Sequence, residues 1–142
     1  MENELLRVED LYLHYRTSKG NVRAVDGVSF DIGRQQALAV IGESGCGKSS
    51  LARAILKLLP RNVALYQGKV LLNGADISLL KEEEFRKEVR WTNISFVPQA
   101  AMNSLNPVLK VGEQIMEPLL TRNLMQKEAA LERTREVLQL VG

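Results

Sequence analysis

A chain of 142 residues with 45% hydrophobic and 25% charged side chains has the size and make-up of one globular domain with a buried core. Its 19 basic and 17 acidic side chains leave a net charge of +2, too little to point to nucleic acid or to an anionic membrane surface. The single cysteine, Cys46, excludes an internal disulfide and fits a reducing cytosol. No apolar run reaches the ~18 residues that span a bilayer, and the acidic start MENELLRVED lacks the basic region of a signal peptide. The expected class is soluble, intracellular and globular.

Along the chain, Leu11, Leu13 and Tyr15 alternate with Tyr12 and His14, the period of two that marks a strand. The turn-rich SKGN, residues 18–21, leads to Val28, Phe30 and Ile32 alternating with Ser29 and Asp31, a second strand expected antiparallel to the first. ALAVI, residues 37–41, is apolar without alternation and ends at Gly42, as a strand buried on both faces would. Beyond a glycine-rich loop, Leu51, Ala54, Ile55, Leu58 and Leu59 recur at helical spacing, with Pro60 and Asn62 as the stop. GKVLLNG, residues 68–74, reads as a strand closed by the turn signal Asn73-Gly74. KEEEFRKEV reads as a short solvated helix, and NISFVPQ, residues 93–99, as a further strand ending near Pro98. From about Gly112 the pattern is helical, with Leu131, Thr134, Val137, Leu138 and Val141 on one face of the last helix. Such an order predicts an α/β layer with a β-rich edge.

The loop between the third strand and the first helix carries the chemistry. Residues 42–49 fit G-x-x-x-x-G-K-[ST] at Gly42, Gly47, Lys48 and Ser49, with Glu43, Ser44, Gly45 and Cys46 between, and the flanking strand and helix are the context this loop requires. A helix N-terminus presents unpaired N–H groups and partial positive charge, so it suits a triphosphate. Glycines let the backbone curl around the anion, Lys48 adds a full charge for the β and γ phosphates, and the Ser49 hydroxyl can ligate Mg²⁺. Ser50 is placed to donate to the α phosphate. A glycine-rich turn with a chance lysine would share the pattern, but pattern and context together favour phosphate. Cys46, beside Lys48 and a helix start, could have an activated thiol; a small side chain filling a tolerant position is the favoured reading.

Three stretches now resemble a known family: AVDGVSFDI before the loop, GESGCGKSS in it, and ISFVPQAAMNSLNPVLKVGEQI after it. They look like the ATP-binding subunit of an ABC transporter, and SLNPV followed by VGEQI is most similar to the oligopeptide, dipeptide and nickel importers. The resemblance runs from about Leu5 to Gly142. It implies an α/β fold, a P-loop NTPase (RecA-like) core with an N-terminal antiparallel β subdomain and the start of a helical subdomain. Residues 1–104 would be the nucleotide-binding core with an incomplete sheet, and residues 105–142 the opening of the helical subdomain.

The same resemblance implies roles. Tyr15 stands where the family stacks an aromatic ring on adenine, a flat apolar face for a base; a ring packed against the β layer is the rival reading, and Tyr12 the alternative if the register differs. Gln99 matches the glutamine that senses the γ phosphate and a metal-bound water, with Pro98 stiffening the hinge. It joins Ser49 as a prospective Mg²⁺ ligand. Residues 100–107 would touch the membrane-embedded permease, and a second ATP-binding subunit would complete a dimer. The intact subunit would sit on the cytoplasmic face of the membrane, held there by its permease, and hydrolyse ATP to drive uptake.

Not every family element is found. The chain contains no LSGGQ-type signature, no apolar strand ending in Asp-Glu and no histidine after the loop. Asp76 follows an Asn-Gly break and reads as a loop residue; His14 precedes the loop and reads as structural; Glu82, Glu83 and Glu84 read as a solvated helix face. Gly33-Arg34-Gln35-Gln36 replaces the usual Gly-Glu pair in a surface turn. The expectation is the first part of an importer ATPase, hydrolytically inactive alone. The alternatives are a truncated or decayed ATP-binding module and a non-transport P-loop ATPase.

Overall fold

The structure, a computed structural model, describes residues 4–98 and 105–142. It comprises two compact units, Met1–Phe96 and Val97–Gly142. In the first, β1 (Glu4–Thr17) and β2 (Gly20–Gly33) form an antiparallel hairpin, as expected, closed where Thr17 pairs with Gly20. β3 (Val63–Leu72) lies on the other side of β1, and the two-residue β4 (Ala75–Asp76) turns back on β3, giving the order β2-β1-β3-β4. The Asn73-Gly74 turn between them has φ of 50° and 80°, the left-handed pair that a tight hairpin with matching twist requires. β1 and β2 are longer than the alternation suggests. Register shifts between Val8 and Leu11 and again between Leu11 and Leu13 break the period of two, so only part of each strand shows it.

One face of this sheet is the core. Val8, Leu11 and Leu13 of β1, Val25 of β2 and Val70 and Leu72 of β3 meet Ala54 of α1 (Lys48–Ile55) and Phe85 of α2 (Glu82–Glu88). Each such aliphatic or aromatic side chain contributes about 1.5–3 kcal/mol by leaving water. The three crowded carboxylates at the head of α2 are each engaged: Glu82 pairs with Arg90, Glu83 with Lys87, and Glu84 accepts the Lys81 N–H at 2.9 Å. Lys87 holds the Glu83 carboxyl below its ordinary value, first through the hydrogen bond and then through its charge.

Two expected strands are not formed. Residues 37–41 and 93–98 lie outside any ladder, apart from a single parallel bridge between Arg90 and Ile94. Most of their apolar side chains are open to solvent, Ile41 at 89% and Val97 at 83% exposure, while Ile94 packs half-buried against the core. A strand is made by its neighbour's hydrogen bonds as much as by its own composition, and no described strand runs alongside either segment. Helix α1 is also shorter than its apolar pattern. It ends at Ile55, and Lys57, at φ 50°, turns the chain before Pro60 is reached.

The second unit is a pair of helices, α3 (Val111–Thr121) and α4 (Lys127–Val141). Of the face expected on α4, only Thr134 is buried and Val137 half-buried, while Leu131, Leu138 and Val141 are exposed; Ala130 is buried instead. Small residues bring the helices together: a Cβ on Gly112 would sit 4.0 Å from the Thr134 methyl.

Tyr66 ties the sheet to α1. Its hydroxyl donates to the Ala54 carbonyl at 3.1 Å. Burial, and then the Asp76 carboxylate, push its pKa from 10.0 up to about 12. Above pH 10 the unfolded chain releases this proton while the folded chain keeps it, so stability falls as pH rises from about 10 to 12. The slope has a ceiling of about 1.4 kcal/mol per pH unit, reduced in practice because the ring is only half-buried. Urea unfolding between about pH 9 and pH 12 should therefore show a steeper loss in the wild type than in Tyr66→Phe; parallel curves would refute the linkage.

Candidate functional site

The loop at residues 42–47 leads into α1 with a close backbone contact. Gly47 caps the helix at φ 101°, and a Cβ built there would lie 2.2 Å from the Ala24 carbonyl oxygen of β2. Only a residue without a side chain fits this approach, because both the left-handed φ and the space exclude a Cβ. β2 thus holds the start of α1 against the sheet.

At that start the helix is electrically open. It has neither a side-chain cap nor an acidic residue in its first turn, so no carboxylate competes for its free N–H groups. The Lys48 ammonium folds back over the loop, donating to the Gly42 carbonyl at 2.7 Å, the Glu43 carbonyl at 2.6 Å and the Cys46 sulfur at 3.4 Å. These three acceptors use its three donors. Cys46 N–H in turn donates to Glu43 O at 3.3 Å, and Leu51 N–H to Gly47 O at 2.8 Å, the first bond of the helix. Glu43, Ser44, Gly45, Cys46 and Ser49 are exposed, and Lys48 and Ser50 half-buried. Loop, ammonium and helix N-terminus lie together and face solvent, a positive setting whose chemistry suits a phosphate chain. Ser49 carries a hydroxyl at its rim, a hard oxygen donor of the kind Mg²⁺ accepts.

The remaining expected residues are not gathered with this set. Tyr15 is half-buried against the hydrophobic core, and its hydroxyl is buried without a partner among the described residues. Tyr12 is committed elsewhere, edge-on to His14 with ring centroids 6.2 Å apart. Gln99 and residues 100–104 lie outside the described residues; Leu105, Asn106 and Pro107 are exposed. Two other residues hold local contacts, and Asp76, expected in a loop, ends the short strand β4. His14 Nε2 lies 3.0 Å from Asp26 Oδ1, and Asp76 caps a short 3-10 turn by accepting from Ser78 N–H at 2.9 Å.

Sequence reasoning misses two contributors. Ala24 acts through its backbone carbonyl, for which no side-chain signal exists. Gln114, inside VGEQI, clamps the preceding segment: its Oε1 accepts the Asn106 N–H at 2.7 Å, and its Nε2 donates to Asn106 O and Leu109 O, each at 3.0 Å. Residues 106–109 and VGEQI are therefore tied into a local folding unit.

The sequence pattern of the family described as ABC transporter matches residues 25–142. The chain belongs to the ABC transporter family. It is 40% identical over 142 residues to the dipeptide transport ATP-binding protein DppD of Lactococcus lactis subsp. cremoris (strain MG1363), covering 99% of this chain and 40% of that protein. It is 42% identical over 139 residues to the oligopeptide transport ATP-binding protein OppD of Bacillus subtilis (strain 168), covering 97% and 38%. The chain thus spans about two-fifths of the length of these relatives. Among solved structures, the dimeric bacterial ABC transporter cassette MJ0796 superposes with a TM-score of 0.78 at 23% identity, over 95% of this chain and 56% of that one. A post-hydrolysis dimer of the same cassette, bound to ADP and Pi, gives 0.77 at 22% identity. At these identities the likeness is one of fold: this ABC chain has the α/β cassette architecture.

The contact at Ala24 makes a direct test. Gly47→Ala must abandon φ 101° and push the carbonyl away, whereas Gly45, at φ 85°, faces open space. Gly45→Ala should cost about 1 kcal/mol and Gly47→Ala at least about 2–3 kcal/mol in urea unfolding. Equal costs would show that β2 does not brace the loop.

Proposed function

We propose that this chain is the ATP-binding part of an ABC importer ATPase that couples ATP hydrolysis to uptake of oligopeptides, dipeptides or nickel. The observation that carries the reading is Lys48, held over a glycine loop at the uncapped start of α1. Peptides are the favoured cargo, since the relatives named above are dipeptide and oligopeptide transport proteins.

The parts divide as follows. Backbone N–H groups of the loop and the first turn of α1 receive the phosphates, and Lys48 exchanges its weakest loop acceptor, the Cys46 sulfur, for a phosphate oxygen. The Ser49 hydroxyl, with Gln99, would hold Mg²⁺, which when bound neutralises developing charge on the phosphates. Tyr15 would stack on adenine once its ring is presented from the sheet, and Gln99 would sense the γ phosphate. Residues 100–107 meet the permease subunits at the cytoplasmic face of the membrane, and a second ATP-binding subunit completes the dimer. The chain of 142 residues contains no apolar strand ending in Asp-Glu, so alone it binds Mg-ATP and turns it over negligibly.

Calorimetric titration of the purified chain with Mg-ATP tests this. Lys48→Ala removes a charge-assisted contact worth about 1.5–3 kcal/mol and should weaken binding at least 10-fold. Unchanged affinity would overturn the assignment of the loop, and sustained Lys48-dependent hydrolysis by this chain would overturn its inactivity.

A further inference from the structure

Helix α1 carries Lys48 at one end and finishes at Ile55. The carbonyls just beyond, Leu56 O and Lys57 O, accept from Arg90 Nε at 2.9 Å and Nη2 at 2.7 Å. The same guanidinium reaches Glu82 at the head of α2, with Nη1 to Oε1 at 2.5 Å and Nη2 to Oε2 at 3.3 Å. It also lies over the fully buried Phe85 ring, 5.2 Å from the centroid. Lys57 covers that ring at 5.5 Å and donates to the Ser78 and Leu80 carbonyls at 2.9 and 2.7 Å. The Arg90 side chain is only 14% exposed, so its bonds to the two carbonyls are little screened, whereas the Glu82 side of the bridge is 65% exposed. A cation at a helix C-terminus also complements the dipole whose positive end lies at Lys48.

We propose that Arg90 is a positioning residue for the nucleotide loop, clamping the far end of α1 and relaying the loop's state to residues 90–94. The inference rests on the reading of residues 42–49 as the phosphate site. A helix of two turns moves as a unit, so an anion drawn onto its N–H groups also shifts the Leu56 and Lys57 carbonyls just beyond its end. Arg90 holds those carbonyls and is itself bridged to Ile94. Between them, Trp91 N–H donates to Ile94 O at 2.8 Å. Trp91 is the single tryptophan, 67% exposed and held at φ 68°, which makes it a built-in reporter of this segment.

The test measures Mg-ATP affinity by calorimetry and the change in Trp91 emission at saturating nucleotide. Arg90→Gln should weaken binding about 10-fold, within the usual range of coupling between sites, and abolish the emission change. Arg90→Lys, which keeps a cation at the carbonyls without the two-sided bridge, should recover most of the affinity and only part of the emission change. Glu82→Gln leaves both carbonyl bonds and should reduce the emission change while affinity stays within about 2-fold. If Arg90→Gln does not fold, the latter two variants decide the matter. A role confined to stability would lower the unfolding midpoint yet leave the emission change of the saturated, folded protein intact, and that result overturns the relay. Wild-type affinity in Arg90→Gln overturns the positioning role. No binding by the wild type would remove the phosphate reading first and this inference with it, whereas binding with a silent Trp91 would sink the relay alone.

Discussion

The missing Cβ of Gly47 is the constraint on which the site depends. Because the Ala24 carbonyl occupies the place a side chain would take, β2 and the head of α1 sit in direct backbone contact. That contact sets where the helix begins, and the beginning of the helix sets where its free N–H groups point. Two further restraints act on the same rod. Ala54 is buried in the core near its end and Arg90 holds the carbonyls beyond it. A helix of two turns has little stability of its own, so its direction is a property of the sheet and of α2.

The loop is pre-shaped around a charge. In water an ammonium is well solvated; here its three donors are taken by two carbonyls and a sulfur from its own loop. The Gly42 and Glu43 carbonyls, which would otherwise repel an incoming anion, are thereby turned toward Lys48. A phosphate oxygen is a stronger acceptor than a thiol sulfur, so the 3.4 Å contact to Cys46 is the natural one to yield.

The apolar runs at 37–41 and 93–98 show the other side of the same physics. Their composition is that of strands covered on both faces, yet Ile41 and Val97 stand in solvent. Composition selects a conformation weakly; the ladder and the neighbouring layer supply most of the free energy that holds a strand. Where no described strand lies alongside, the extended state has nothing to bond to. The antiparallel hairpin of β1 and β2 forms because each strand is the other's partner and the turn between them is local.

The residues of the chain by themselves determined the glycine-lysine-serine loop, the hairpin, the Asn73-Gly74 turn, the two helices of the second unit and the family resemblance. Each of these is written in local pattern: spacing of glycines, period of two or of 3.6, or a turn dipeptide. Tertiary structure alone decided that Ala24 braces Gly47, that α1 stops at Ile55 under Arg90, that Tyr15 turns its ring to the core, and that α4 buries Ala130 rather than Leu131. Those outcomes depend on a backbone carbonyl, on a cation distant in sequence and on how closely small residues let two surfaces approach. None of these leaves a periodic mark in the chain.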